Sequence, residues 1–326
     1  MNLPEIKLFN TLSKKTEVFN AIKKNHVSIY ACGPTVYNYQ HIGNFRTFIN
    51  EDLLRRTFLL AGYKVNFVMN ITDVGHLTSD GDEGENKKST DIANFYTEKF
   101  LNDSKSFNIL ESDTLCKATE HIQEMIDLIQ KILDKGYAYQ SAGNVYFDVS
   151  KFDKYGELAN LDLEKLKAGA RIEVDKNKKN NQDFVLWFTK SKFENHELLW
   201  DSPWGEGYPG WHIECSAMSL KYLGEQFDIH CGGIDHIPVH HTNEIAQTEA
   251  ATGKEWVNIW FHSEFILLNE EKMSKSTGKF LTVDDLIKNN IDPLAYRLMV
   301  LGTHYKKQMN FSWDNIESNH KQITKV

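Results

Sequence analysis

Short continuous apolar runs alternate with segments of helical period along this chain, and the alternation predicts its architecture. Val27–Cys32, V-S-I-Y-A-C, is a strand of the buried type, ended by Gly33-Pro34. From His41 to about Leu60, Phe45, Phe48, Ile49, Leu53 and Leu54 fall at helical spacing, and Gly62 stops the helix. Lys64–Asp73, K-V-N-F-V-M-N-I-T-D, is a second strand. Strand, loop, helix, strand is a βαβ unit, which requires a parallel sheet. Residues 1–24 form a short extension with one or two strands.

The middle of the chain breaks this rhythm. Residues 79–89 are a charged, glycine-containing loop. Helical patterns cover Asp91–Phe107 and Lys117–Lys135, with Gly136 as a stop, and a hairpin-like piece follows at 137–149. Residues 150–200 are more polar and mixed, and include D-K-N-K-K-N-N-Q-D at 175–183, read as a mobile surface loop or a nucleic-acid contact. Order then returns. A helix starts near Cys215 and ends at Gly224, Phe227–Cys231 is a strand, His240 to about Thr252 is a helix, and Val257–His262 is another strand. The prediction is an α/β fold whose parallel sheet is split by an insertion. Two helical segments follow, the last from Asp314, and the sequence stops inside a helical pattern, so a C-terminal part is expected beyond it.

Composition narrows the class without changing this picture. The 326 residues are 41% hydrophobic and 25% charged, as in an ordinary globular protein. A net charge of −8 excludes a non-specific nucleic-acid coat but leaves room for a local basic patch. The four cysteines, Cys32, Cys116, Cys215 and Cys231, are too few and scattered for a disulfide scaffold. No apolar run approaches the roughly 18 residues of a membrane span. The N-terminus lacks a charged-then-apolar leader pattern. A cytoplasmic enzyme or binding protein is expected.

Three groups of residues carry chemistry. His240 and Glu244 are four apart on a predicted helix, so both project from one face. Cys215, read at a loop-to-helix junction, and Cys32, at a strand end, would meet them at the carboxyl edge of the sheet and complete a tetrahedral zinc shell. Cys231 and His241 are rival ligands; His241, about 100° away on an ideal helix, should not share the Glu244 face. Second, H-I-G-N at 41–44 opens a helix, whose N–H groups and dipole favour an anion, and Gly43 lets a nucleotide approach. Gly232 and Gly233 would do the same for adenine, with Asp235 available to a ribose hydroxyl or an ammonium. Third, K-M-S-K-S at 272–276 is a cationic loop able to close on phosphates.

These residues together resemble a class I aminoacyl-tRNA synthetase, and most closely the cysteinyl-tRNA synthetases. H-I-G-N and K-M-S-K-S occur in the order of the two class signatures. The cysteine-specific strings are C-G-P-T-V-Y-N-Y-Q-H-I-G-N, N-I-T-D-V, G-A-R-I-E-V-D, D-F-V-L-W, P-G-W-H-I-E-C-S-A-M and H-H-T-N-E-I-A-Q. The resemblance covers nearly the whole chain.

It implies a Rossmann-type catalytic domain in two halves, 1–115 and 200–268, around a connecting insertion at 116–199. Residues 269–326 would hold the K-M-S-K-S loop and the start of a helical stem-contact domain. It implies one zinc per subunit on Cys32, Cys215, His240 and Glu244, joined by the substrate thiolate, and ATP with Mg²⁺. His41, Asn44, Lys272 and Lys275 would be catalytic. His41, Gly43, Asn44, Gly232, Gly233, Asp235 and Lys275 would bind ATP, and Gly33, Thr72, Trp211 and Asp235 the amino acid. The partners implied are L-cysteine, ATP and tRNA(Cys), with no membrane, for a monomer. A ligase that delivers cysteine to a sugar amine and a non-catalytic RNA- or zinc-binding paralogue are the competing readings.

Three departures from the family pattern stand out. Asn44 fills the fourth signature position. V-G-H-L follows Asp73, where many members have an acidic pair. H-I-P-V-H-H-T at 236–242 replaces a more usual L-x-F-P-H-H-E, and Cys231 replaces a common glycine.

Overall fold

The computed structural model describes residues 3–75, 89–161, 176–189, 198–268, 271–272 and 280–325, of which 271–272 are described by their backbone alone. The chain opens with an antiparallel hairpin, β1 (Lys7–Asn10) and β2 (Lys15–Val18). It then enters β3 (His26–Ala31), α1 (Ile42–Leu60) and β4 (Lys64–Ile71), the βαβ unit expected from the sequence. α2 (Ser89–Ser106), β5 (Thr114–Lys117) and α3 (Ile122–Asp134) follow. A four-stranded antiparallel sheet is built from β6 (Ala138–Ser141), β7 (Asn144–Phe147), β8 (Phe184–Phe188) and β9 (Tyr208–Pro209). The chain returns through α4 (Trp211–Leu223), β10 (Phe227–Gly233), α5 (Thr242–Thr252) and β11 (Val257–Ser263).

β11, β10, β3, β4 and β5 form one parallel five-stranded sheet in that order. Its strands therefore come from both sides of the insertion. Alternate side chains serve opposite faces, as the two-residue period of a strand demands. Ile29, Ala31, Phe67 and Met69 join the core under α1 and α2, with Phe45, Phe48, Phe58 and Phe100. Tyr30, Cys32 and Val68 face the second core, with Met125 and Ile129 of α3, Met218 of α4, Ala250 of α5 and Trp260. Each fully buried apolar side chain of this kind contributes about 1.5–3 kcal/mol, so the two-sided burial fixes register along both strands.

Several elements differ from the expectation. Thr114–Lys117 is an edge strand, not the approach to a helix at Lys117; only Cys116 of the four is buried, so no apolar pattern marks it. Asp113 anchors it by accepting from the Phe67 amide at 2.7 Å and from Arg55 at 2.8 Å. β8 lies in the segment read as mixed. The 176–183 part of the lysine-rich stretch, expected as a mobile loop, is pinned by buried Asp183, which accepts from Asn180 and Val149 amides and the Tyr139 hydroxyl. α4 begins at Trp211, four residues before Cys215, because Gly210 takes an extended conformation as its N-cap.

The two late helical segments are three. β12 (Ile266–Leu268) and β13 (Glu271–Lys272) lead to α6 (Val283–Lys288), α7 (Pro293–Leu301), β14 (Met309–Phe311) and α8 (Trp313–Ile323). Asp292-Pro293 separates α6 from α7, since proline suits the first helical turn but not a helix interior. Among the described residues no helix is long and apolar enough to cross a membrane.

Candidate active site

The chain leaves β3 toward β4 on one side, and β10 later pairs on the other side of β3. Strand order therefore reverses between β3 and β10, the place where open parallel sheets bind ligands beyond their carboxyl ends. A cleft of about 450 Å³ opens there. Its lining includes Cys32, Gly33, His41, Gly43, Asn44, Thr72, Trp211, Cys215, Gly233, Asp235 and His240.

One end of the cleft is a buried cluster. Cys32, Cys215, His240 and Glu244 bring one ligand atom each to within 4.8 Å of one another, all four side chains buried. The two sulfurs are 3.9 Å apart, close to the ~3.8 Å edge of a tetrahedron with zinc–sulfur bonds of ~2.3 Å. His240 Nε2 and Glu244 Oε1 are 2.9 Å apart. Yet Glu244 Oε1 is buried without a hydrogen bond. Nitrogen and oxygen point past each other, as two ligands of one ion do. The other carboxylate oxygen, Oε2, pairs with His230 Nε2 at 2.8 Å. His240 Nδ1 pairs with His212 Nδ1 at 2.9 Å, and the Trp211 ring stacks on the His240 ring at 4.3 Å. Partners on the far side of a ligand fix its orientation.

Protonation fits the same donor set. Burial opposes charge on Glu244, yet His240 and His230 hold its pKa down to about 2. Burial also opposes charge on His240, but Glu244 and Cys215 raise its pKa to about 10. Burial pushes Cys215 up, but its bond to Cys32 and its His240 neighbour bring it to about 6. Burial, and then Cys215, push the Cys32 thiol well above its usual range. The surrounding His212 and His236 are kept neutral by burial and by His240, each with a pKa of about 3. The cluster thus holds anionic donors balanced by protons that a divalent cation can replace.

The two rival ligands part company. Cys231 faces the opposite side of β10, in the core with Ile29 and Ile259, and cannot reach the cluster. His241 does reach it: its Nε2 is 3.3 Å from Cys32 Sγ and 4.0 Å from Glu244 Oε1. The expectation that it could not share the Glu244 face is wrong, because His241 and Glu244 are three residues apart, and residues at that spacing are neighbours on a helix. His240 and His241 thus flank Glu244 from either side, at spacings of four and three. His230, His241, Cys32 and Glu244 make a second, overlapping donor set.

The other end of the cleft is the start of α1. His41 is its N-cap, with Nδ1 accepting from the Asn44 amide at 3.1 Å. Asn44 Oδ1 accepts in return from the His41 amide at 3.2 Å, completing a capping box. The Asn44 side chain is thereby engaged with the backbone. Acceptance at Nδ1 leaves the ring hydrogen of neutral His41 on Nε2. Gly43 is required by this packing: a Cβ would lie 2.8 Å from His41 Nδ1 and 3.0 Å from Ile266.

The remaining expected residues divide. A Cβ on Gly33 would stand 1.7 Å from the Asn70 carbonyl oxygen, so only glycine lets the chain pass β4 there as it leaves β3. Thr72 Oγ1 donates to Glu214 Oε2 at 2.9 Å, and burial pushes that carboxyl well above its usual pKa. Gly233 lines the cleft, but Gly232 does not. The space over the Cα of Gly232 is filled by His236 and His241. Lys272 has its backbone in β13, paired with Leu267. Lys275, with 273–279, lies outside the described residues, as do 79–88 and the G-A-R-I-E-V-D string.

The family described as tRNA synthetases class I (C) catalytic domain matches residues 18–321. The chain belongs to this family. A cysteine–tRNA ligase of Treponema denticola is 59% identical over 323 residues, covering 96% of this chain and 66% of the relative. One of Borreliella burgdorferi is 48% identical over 325 residues, covering 96% and 67%. The chain therefore spans about two thirds of the length of the curated relatives it matches. The fold is that of class I synthetases: a Mycobacterium tuberculosis methionyl-tRNA synthetase in complex with methionyl-adenylate superposes with a TM-score of 0.69 at 16% identity, over 90% of this chain and 67% of that one. In this class I (C) domain, His212, His230, His236, His262 and Glu214 also stand around the site, and none of them was expected there. A signal was present for His230 and His262, each a polar residue inside a mostly apolar strand, F-D-I-H-C and V-N-I-W-F-H.

Proposed function

We propose that this chain is the catalytic portion of a cysteine–tRNA ligase. The observation that carries the reading is a single cleft that joins the Cys32, Cys215, His240 and Glu244 cluster to the capped start of α1. Zinc held by those four residues would supply a soft Lewis acid that takes the substrate sulfur as thiolate and rejects a serine hydroxyl. Trp211 walls the amino-acid pocket, Thr72 shapes its floor through Glu214, and Asp235 receives the substrate ammonium or the ATP ribose.

In the first step the cysteine carboxylate attacks the α-phosphate of ATP and pyrophosphate leaves. His41 donates from Nε2 to a phosphate oxygen, and the α1 N-terminus with Gly43 favours the anion. Gly233 gives the nucleotide its approach. Lys272 and Lys275 neutralise charge on the departing pyrophosphate, with Mg²⁺ carried by ATP. Asn44 acts through the cap, by fixing His41. In the second step a ribose hydroxyl at the 3′ end of tRNA(Cys) attacks the adenylate carbonyl and AMP leaves.

The sheet halves 1–115 and 200–268 form the catalytic domain around the insertion 116–199, and 269–326 carries the K-M-S-K-S loop and the start of a stem-contact domain. The reading carries a cytoplasmic, monomeric enzyme. Cysteine-dependent ATP–pyrophosphate exchange is expected with one zinc per chain, and serine-dependent exchange nearly absent. Equal rates with serine would overturn selection by the metal. Labelled cysteine with total tRNA then tests transfer.

A further inference from the structure

Two donor sets overlap at the strand ends. Cys32 and Glu244 belong to both; Cys215 and His240 complete one, His230 and His241 the other. The sequence neighbours His240 and His241 therefore compete for one centre. An ion in the second set would have one sulfur donor instead of two. It would also sit behind the cleft, since Cys215 and His240 line the cleft while His230 and His241 do not.

His236 stands between the two competitors. Its ring centroid is 5.1 Å from that of His240 and 5.1 Å from that of His241, edge-on to the latter. It occupies the volume over Gly232, where a Cβ would meet His236 Nδ1 and His241 Cε1 at 2.7 Å each. The same Nδ1 is buried without a hydrogen-bond partner, so shape rather than a polar contact seats that edge of the ring. His241 is tied on its other side, with Nδ1 2.8 Å from His262 Nε2 and His262 Nδ1 2.8 Å from Thr11 Oγ1. His236 opens the H-I-P-V-H-H-T segment that departs from the usual family string.

We propose that His236, seated over the bare Cα of Gly232, is a positioning residue that wedges His241 against His262 and so commits the centre to the two-sulfur set. The inference rests on the metal reading above. With the wedge removed, His241 Nε2, already 3.3 Å from Cys32 Sγ, gains room to enter the shell in place of Cys215, which leaves Cys32 as the one sulfur donor.

Cobalt(II) loaded into the purified chain reads the donors directly, because sulfur-to-cobalt charge-transfer absorbance follows the number of thiolates. The native chain sets the two-thiolate standard, and half of its absorbance per bound cobalt marks one thiolate. His236→Ala and Gly232→Ala are expected to lose up to about half of that absorbance per bound cobalt, one sulfur of two being replaced. His236→Phe refills the space and is expected to keep the native spectrum. Native absorbance in both alanine variants overturns the wedge, as does a one-thiolate spectrum for His236→Phe. If Gly232→Ala does not fold, the half-buried position 236 decides alone. No cobalt uptake by the native chain, or identical spectra for native and Cys215→Ser, overturns the metal reading itself and the wedge with it.

Discussion

The two ends of the cleft are built on opposite principles. The sulfur end is a buried set of side chains, two of them oriented by partners behind them: His212 and Trp211 on His240, and His230 on Glu244. The phosphate end is mostly backbone, a helix start capped by His41 and Asn44 with Gly43 between them. A metal shell is intolerant of error in position, so it needs rigid support. A polyphosphate is large and mobile, and a helix N-terminus with a few donors suffices. On the proposed reading the first end selects and the second activates, within one cleft.

The comparison breaks most severely at Cys215. Removing one member of a buried ionic set costs about 3–5 kcal/mol, so Cys215→Ser is expected to lower cysteine-dependent exchange by factors of hundreds to thousands. Metal analysis should show the loss of bound zinc, while ATP binding by equilibrium dialysis stays near native. Full zinc content in this variant would remove Cys215 from the shell.

His41 is next. His41→Ala deletes both the cap and the Nε2 donor, whereas His41→Asn restores an N-cap acceptor alone. Loss of a donor aimed at developing charge costs about 10²–10³ in rate, and both variants should show it in pyrophosphate exchange. Thermal denaturation should separate them, with the alanine variant about 1 kcal/mol less stable. Recovery of the rate in His41→Asn would mean that the cap, not the donor, is what catalysis needs.

Much of this site was legible because its residues sit where periodicity changes. Cys32 ends an apolar run and His41 begins a helical one, so both ends of the cleft announced themselves. The His240–Glu244 spacing was readable for the same reason. What was hidden depended on contacts distant in sequence. His241 was sent to the wrong face by its angle to His240, although its spacing of three from Glu244 makes the two neighbours on a helix. Gly232 and Gly233 look alike in sequence, yet one faces two imidazoles and the other the cleft. β5 buries one residue of four and is held by its ladder with β4, a pairing that hydrophobic pattern does not report.

The smallest expected effect is the most direct test of independence. Trp211 is 38% exposed and stacks on the His240 ring. Aromatic pairs of this kind contribute about 0.5–1.5 kcal/mol, so Trp211→Leu should raise KM for cysteine roughly two- to tenfold and leave KM for ATP unchanged. Asn44→Ala removes the reciprocal bond of the capping box and should do the reverse, raising KM for ATP a few-fold. Since neither residue shares a partner with the other, their effects on exchange kcat/KM should add to within about 0.5 kcal/mol in the double variant. A coupling above ~1 kcal/mol would mean that loosening α1 also shifts His240, and selection and activation would then be one mechanical unit rather than two.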